Sequence, residues 1–126
     1  MYKKNLTPQD ELAIRTVVER QLQAFQRNDA PTAFSLACPE LQRQLHHPRA
    51  FMTMIKVNYQ PIYSPRAVIF EGIIYIQRHP TLQIMLMTQG GNLVRALCIM
   101  QQLADLSWRV AGCQLLPVCI ENRKRL

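Results

Sequence analysis

The sequence predicts an α+β domain whose N-terminal helices pack on one face of a four-stranded antiparallel meander. Apolar residues recur at helical spacing up to about residue 58, and from residue 67 onward they follow the patterns of strands. Gly90-Gly91 separates the apolar runs 82–89 and 93–103, as expected for a tight hairpin at the centre of a sheet. Helices that precede the strands, rather than alternate with them, are typical of this class.

Length and composition indicate one domain that spans residues 1–126. The chain has 126 residues, of which 48% are hydrophobic, so it is long enough to bury about two-thirds of its unfolded surface. We expect the core at about 8–118 and a short basic tail at 121–126. The net charge of +7 allows an anionic partner, but the basic residues are scattered apart from the two ends.

Capping residues and prolines predict the helices. Thr7 and Pro8 suit the N-cap and first position of a helix that ends near residue 27, and Asp29 can cap a second short helix. Further helices are expected at 39–46 and 49–58. Pro61 and Pro65 argue against regular structure between residues 59 and 66.

Four strands are expected after residue 66. The first covers 67–78, with a bulge or bend at Gly72, and a turn follows at 78–81. After the central hairpin, a turn at 104–107 leads to a last strand at 108–118, which Pro117 ends.

The hairpin loop decides which side chains face the helices. A two-residue loop at Gly90-Gly91 pairs Thr88 with Leu93, and paired residues share a face. One face then carries Leu82, Ile84, Leu86, Thr88, Leu93, Arg95, Leu97 and Ile99, with Trp108 and Val110 from the last strand. We assign this face to the helices. A register shift of one residue would exchange the faces.

Three segments resemble the nuclear transport factor 2-like (cystatin-like) superfamily, and within it a small bacterial family of unknown function. They are Gln21-Leu22-Gln23-Ala24-Phe25, Asn28-Asp29-Ala30-Pro31-Thr32-Ala33-Phe34 and Trp108-Arg109-Val110-Ala111-Gly112-Cys113. The resemblance implies a cone-shaped, curved sheet around the helices, a pocket between them, and often a homodimer. Some superfamily members are ketosteroid isomerase-like or scytalone dehydratase-like enzymes, but none of their catalytic signatures matches here, so no catalytic residue is assigned.

Two lone charges inside apolar strands, Glu71 and Arg95, are the first candidates for a site. An unpaired buried charge is costly, so Arg95 is expected to pair with Glu71 or to hold a carboxylate or phosphate at the open end of the cone. Tyr59, Tyr75 and Trp108 could line an aromatic pocket beside them, although core packing would explain these residues equally well.

The second predicted sheet face is a candidate dimer interface. Its central residues are uncharged: Met85, Met87, Val94, Ala96, Cys98 and Met100. An exposed apolar patch of this extent is unusual on a monomer, so we expect a homodimer through the face opposite the helices. The alternative is that sheet curvature or the segment after Pro117 covers the patch within one chain.

No metal site or cofactor is predicted. Adjacent histidines on a helix, as at His46-His47, point about 100° apart and suit no shared metal. The four cysteines form no Cys-x-x-Cys motif. No secretory signal and no membrane-spanning segment is expected, so a reducing cytoplasm is the simplest location.

Three functions remain open. The leading hypothesis is a non-enzymatic module for ligand binding or protein assembly, with a small apolar or anionic ligand. The alternative is a lyase or isomerase that uses Glu71 with Tyr75 or Arg95 inside the cone. Binding of an acidic partner or nucleic acid comes third, and nucleic acid is disfavoured because basic residues are not interleaved with strand aromatics.

Overall fold

A computed structural model describes residues 5–118, and in them five helices precede four strands. The helices are α1 (Pro8–Gln26), α2 (Ala30–Ser35), α3 (Pro39–Leu45), α4 (Pro48–Asn58) and α5 (Gln60–Tyr63), and the strands are β1 (Ala67–Ile76), β2 (His79–Met87), β3 (Leu93–Gln102) and β4 (Trp108–Pro117). The strands form one antiparallel sheet in the order β1-β2-β3-β4, so the predicted α+β meander is confirmed. The predicted basic tail at 121–126 lies outside the described residues.

Local side-chain chemistry sets the first two helix starts, as predicted. The backbone N–H of Asp10 donates to Thr7 Oγ1 at 3.0 Å, and the Asp10 carboxylate accepts from the Thr7 N–H at 3.0 Å. This capping box gives hydrogen-bond partners to two backbone N–H groups at the start of α1, those of Thr7 and Asp10. At the start of α2, the Asp29 carboxylate accepts a hydrogen bond from the Thr32 N–H at 3.2 Å and caps the helix.

The expectation of no regular structure between residues 59 and 66 was wrong. A single helical turn, α5, begins directly after Tyr59 and contains Pro61 in its first positions. Proline is tolerated there because the first N–H groups of a helix have no partner within the helix.

The turn between β1 and β2 is tighter than predicted. Gln77 and Arg78 have φ of 49° and 72°, as in a type I′ turn, so β1 ends at Ile76 and His79 already lies in β2. The predicted irregularity at Gly72 is confirmed, because the register shifts between Phe70 and Gly72. Bulges of this kind bend a strand, which is consistent with a curved sheet.

The central hairpin differs from the prediction by one residue. Met87, not Thr88, is the partner of Leu93, and the Thr88 N–H donates to the Asn92 carbonyl at 2.8 Å. The loop therefore has three residues, 89–91, and Gly91 takes the left-handed position with φ of 89°. This is the common three-residue alternative to the two-residue loop that the Gly-Gly pair suggested.

The one-residue difference exchanges the two faces of β3. Leu82, Ile84 and Leu86 of β2 face the helices as predicted, but their partners on that face are Cys98, Ala96 and Val94. Ala96 and Met100 have no exposed surface, and Cys98 is 6% exposed. The assignment of Val94, Ala96, Cys98 and Met100 to an exposed interface was therefore wrong, and so was the assignment of Leu93, Arg95, Leu97 and Ile99 to the helix side. Met85 and Met87 do lie on the outer face, in register with Arg95 and Leu93.

Trp108 and Val110 remain in the core despite the exchange. A second register shift, between Ile99 and Met100, leaves Ala111 of β4 without a partner and returns both residues to the helix side. Each is 6% exposed. The Val110 N–H donates to the Leu36 carbonyl at 2.9 Å, so the chain between α2 and α3 is fixed to the edge of β4.

Candidate functional site

A cavity of about 90 Å³ lies between the helices and the sheet. Its wall is formed by residues from helices α1, α3, α4 and α5, from Tyr59 between α4 and α5, and from strands β3 and β4. The lining residues are Val18, Gln21, Leu22, Phe25, Leu41, Phe51, Met54, Ile55, Tyr59, Ile62, Cys98, Val110, Gly112 and Cys113.

The wall divides into a buried floor and a half-buried rim. Phe25 and Phe51 form part of the floor, with 1% and 3% exposure, and their ring centroids are 6.0 Å apart. Met54, Tyr59 and Cys113 are half-buried, so they lie where the cavity approaches the surface. The cavity is thus a mainly apolar space with an access side at α4 and β4.

One amide side chain, Gln21, lies in this apolar wall. Gln21 is only 7% exposed, and its Nε2 donates a hydrogen bond to the Ala33 carbonyl at 3.0 Å. This bond joins α1 to α2. Within residues 5–118, no group donates a hydrogen bond to Gln21 Oε1, so the wall contains a buried acceptor that is not satisfied by these residues.

Two thiols lie side by side in the sheet wall. Cys98 and Cys113 are direct partners in the β3–β4 register. A hydrogen bond with the Cys98 thiol, together with burial, raises the pKa of the Cys113 thiol well above its ordinary value. Cys113 is therefore neutral at physiological pH, and a neutral thiol is a poor nucleophile. The side chains of Cys98 and Cys113 therefore serve as a polarizable, apolar part of the cavity wall.

Of the five residues predicted for the pocket, only Tyr59 lines the cavity. Glu71 and Arg95 lie on the outer face of the sheet, because the register of β3 places Arg95 opposite Met85. Arg95 Nε donates to Glu71 Oε1 at 2.8 Å, and its second amino group donates to Oε2 at 3.1 Å. The predicted pairing is therefore confirmed, but the placement of the pair inside the fold was wrong.

The Glu71–Arg95 ion pair contributes little to the stability of the fold. Hydrogen bonds from Arg95 lower the pKa of the Glu71 carboxyl, although partial burial acts in the opposite direction. Because the folded-state pKa is depressed, any stabilisation is present above the ordinary carboxyl pKa and is lost as the pH falls through the lowered value. The two side chains are 33% and 26% exposed, so the contribution to stability is small.

Tyr75 and Trp108 also lie away from the cavity. Tyr75 is 50% exposed near the end of β1, opposite Pro80. Trp108 belongs to the buried core, and it borders a separate open groove between α1 and the β3–β4 turn. Trp108 is therefore explained by core packing and not by a role in lining the pocket.

Within residues 5–118, no group of three or more histidine, cysteine, aspartate or glutamate side chains could hold a metal ion. Among the described helices, none has the length and apolar character needed to cross a membrane.

Gln21 and the phenylalanine floor were missed as site residues. The signal for Gln21 was present in the sequence, because residues 14, 18, 21, 22 and 25 form the buried stripe of α1. An amide on an otherwise apolar stripe needs a partner in the interior. The phenylalanines give no such signal, because apolar residues in a helix stripe are usually core.

Comparisons with known proteins identify a family and no relative of known function. A family model described as a domain of unknown function (DUF4864) matches residues 7–122, which is most of the chain. No curated protein and no solved structure matches the chain significantly.

Proposed function

We propose that this chain, which belongs to the DUF4864 family of domains of unknown function, binds a small, mainly apolar molecule in the cavity between the helices and the sheet. The cavity itself carries the proposal: about 90 Å³ of space whose wall is apolar except for a few polar groups. Binding sites for small molecules have this character, with apolar walls and a small number of polar groups that fix orientation.

The wall favours binding over catalysis. Its polar groups are the Gln21 amide, the Tyr59 hydroxyl and the two thiols, and the described lining residues include no carboxylate, imidazole or ammonium group. Imidazole and carboxylate groups within reach of the substrate are the most frequent general acids and bases, and the described part of this wall has neither. Glu71, which a lyase or isomerase would need inside, lies in the ion pair on the outer face.

We also propose that the domain has the nuclear transport factor 2-like fold and acts in the cytoplasm. Short helices packed on a four-stranded meander, with a cavity between the layers, support the first proposal. The second is supported by Cys98 and Cys113, which are free thiols although they face each other across neighbouring strands. Free thiols in such positions suit a reducing compartment.

Binding can be tested by calorimetric titration with toluene and with phenol. We expect at least one of them to bind the wild type saturably. Cys113→Leu places a larger side chain at the rim and should weaken that binding at least tenfold, since even one extra methylene is not easily accommodated in a packed wall. Gln114→Leu is the matched control, because this neighbouring side chain of β4 is exposed. Absence of binding by both probes, or equal binding by both variants, would contradict the proposal.

The outer face of the sheet supports a second role, the assembly of a homodimer. The helices pack on the opposite face, and Ile69 and Ile74 are 62% and 38% exposed. Other apolar side chains of this face that are not fully buried include Met85, Met87, Leu93, Ile99 and Leu116, whereas Leu97 is already buried within the chain at 7% exposure. A two-fold axis through the face would also bring the adjacent Arg95 and Glu71 of one copy near those of the other, so the charges are self-complementary.

Light scattering at micromolar concentration tests this assembly. We expect the wild type to have the mass of two chains, and Ile69→Lys to have the mass of one, because a charge would be buried in the interface. Val57→Lys is the control, since Val57 is 72% exposed on α4, away from the sheet. A wild type that is monomeric under these conditions would exclude the homodimer and leave the cavity proposal unaffected.

A further inference from the structure

We propose that the molecule held in the cavity is a neutral compound with a single ring that donates one hydrogen bond to Oε1 of Gln21, as a phenol would. This inference rests on the proposed binding function and specifies the chemical class of the ligand. It depends on the orientation of one buried amide, on the size of the cavity and on the chemistry of its wall.

The orientation of the Gln21 amide is fixed by its partner. The Ala33 carbonyl can only accept hydrogen bonds, so the group 3.0 Å away must be Nε2 and not the oxygen. Oε1 therefore lies on the other side of the amide, and within the described chain it accepts no hydrogen bond. A buried acceptor without a donor is destabilising, and a ligand with an O–H or N–H group would remove that penalty.

The size of the cavity sets one ring as the upper limit for the ligand, and part of that ring would have to extend into the access side. An apolar cavity of roughly 150 Å³ can hold benzene, and the present cavity is smaller, at about 90 Å³. Met54 and Leu41 are half-buried members of the wall. The unbranched methionine side chain adapts readily, so the access side can accommodate part of a ring.

The wall selects a neutral and preferably aromatic molecule. Phe25, Phe51 and Tyr59 present rings, and Cys98 and Cys113 present sulfur atoms, all of which pack well against a planar ring. The described lining residues include no charged side chain, so a carboxylate or phosphate would be buried without a counter-charge. An anionic ligand is therefore disfavoured in this cavity.

Phenol and toluene form a matched pair of probes, because a hydroxyl group and a methyl group have similar sizes. We expect Gln21→Met, which removes the acceptor and keeps the length of the side chain, to weaken phenol binding about tenfold relative to toluene binding. Gln42→Met is the matched control. Gln42 Nε2 also donates to backbone carbonyls, those of Phe34 and Ala37 at 2.9 and 3.0 Å, but Gln42 does not line the cavity. The control should leave the ratio of the two affinities unchanged.

The outcomes separate this inference from the proposed function. If toluene binds, and the affinity ratio is the same in the wild type and Gln21→Met, the role of Gln21 is wrong while the binding function stands. If neither probe binds the wild type, the binding function fails, and this inference fails with it.

A measurement on the wild type covers the possibility that Gln21→Met does not fold. The side-chain amide resonances of Gln21 should shift much more with saturating phenol than with saturating toluene, because only phenol can donate to Oε1. Equal shifts with the two probes would overturn the inference.

Discussion

Replacing Trp108 by alanine is expected to lower the free energy of unfolding by about 3–5 kcal/mol, the range for a large aromatic side chain removed from a core. Trp108 is 6% exposed and belongs to the buried cluster that joins helices and sheet. It also lies at the first position of β4, where it pairs with Gln102. Its loss leaves a cavity beside α1 that the surrounding backbone cannot fill completely.

Denaturant unfolding followed by circular dichroism measures this effect, since Trp108 is the single tryptophan and the variant loses its fluorescence signal. Gln101→Ala, on the neighbouring strand, is the control because Gln101 is exposed. A loss below about 1 kcal/mol for Trp108→Ala would place the indole at the surface and contradict the face assignment of β4.

Met100→Asp is expected to prevent stable folding, with a loss greater than about 4 kcal/mol. Met100 has no exposed surface, and it lies among apolar side chains of the core cluster. An aspartate at this position would be a buried charge without a partner. The adjacent Gln101→Asp points to the other side of β3 and is exposed, so it should change stability by about 0.5 kcal/mol or less.

This pair of variants tests the register of the central hairpin. The two-residue loop expected from the sequence would place Met100 on the outer face, where a charge is tolerated. Comparable stability of Met100→Asp and Gln101→Asp in urea denaturation would therefore favour that register over the observed one.

Local rules were sufficient to predict most of the helices and one irregularity of the sheet. The caps at Thr7 and Asp29 and the bulge before Gly72 depend on residues within a few positions of each other. Such features are set by short-range hydrogen bonds and by the backbone freedom of glycine, both of which are visible in the sequence.

The register of β3 could not be predicted from the apolar pattern alone. Gly90-Gly91 is compatible with loops of two or three residues, and the choice between them shifts every later side chain to the other face. Both faces of β3 are largely apolar, so hydrophobicity does not decide. Arg95 was the one informative residue, because a lone arginine is more easily accommodated on the face that the helices leave open.

A pocket between the helices and the sheet was expected from the family resemblance, but of the residues that line the cavity only Tyr59 was predicted for it. Its wall combines α1, α4 and β4, which are distant in sequence. The cavity is the space that the side chains of these elements leave unfilled in the interior. Sequence patterns report which residues are apolar and do not report where packing is incomplete. Gln21 was also missed, although its position as a polar residue in the buried stripe of α1 is visible in the sequence.

The most direct test of ligand binding in the cavity is a titration of ¹⁵N-labelled protein with toluene, followed by amide chemical shifts. We predict saturable shifts that are largest for residues of the cavity wall, including Val18, Gln21 and Gly112. No saturable shift, or shifts centred on Met85 and Leu97 of the outer sheet face, would contradict binding between the helices and the sheet.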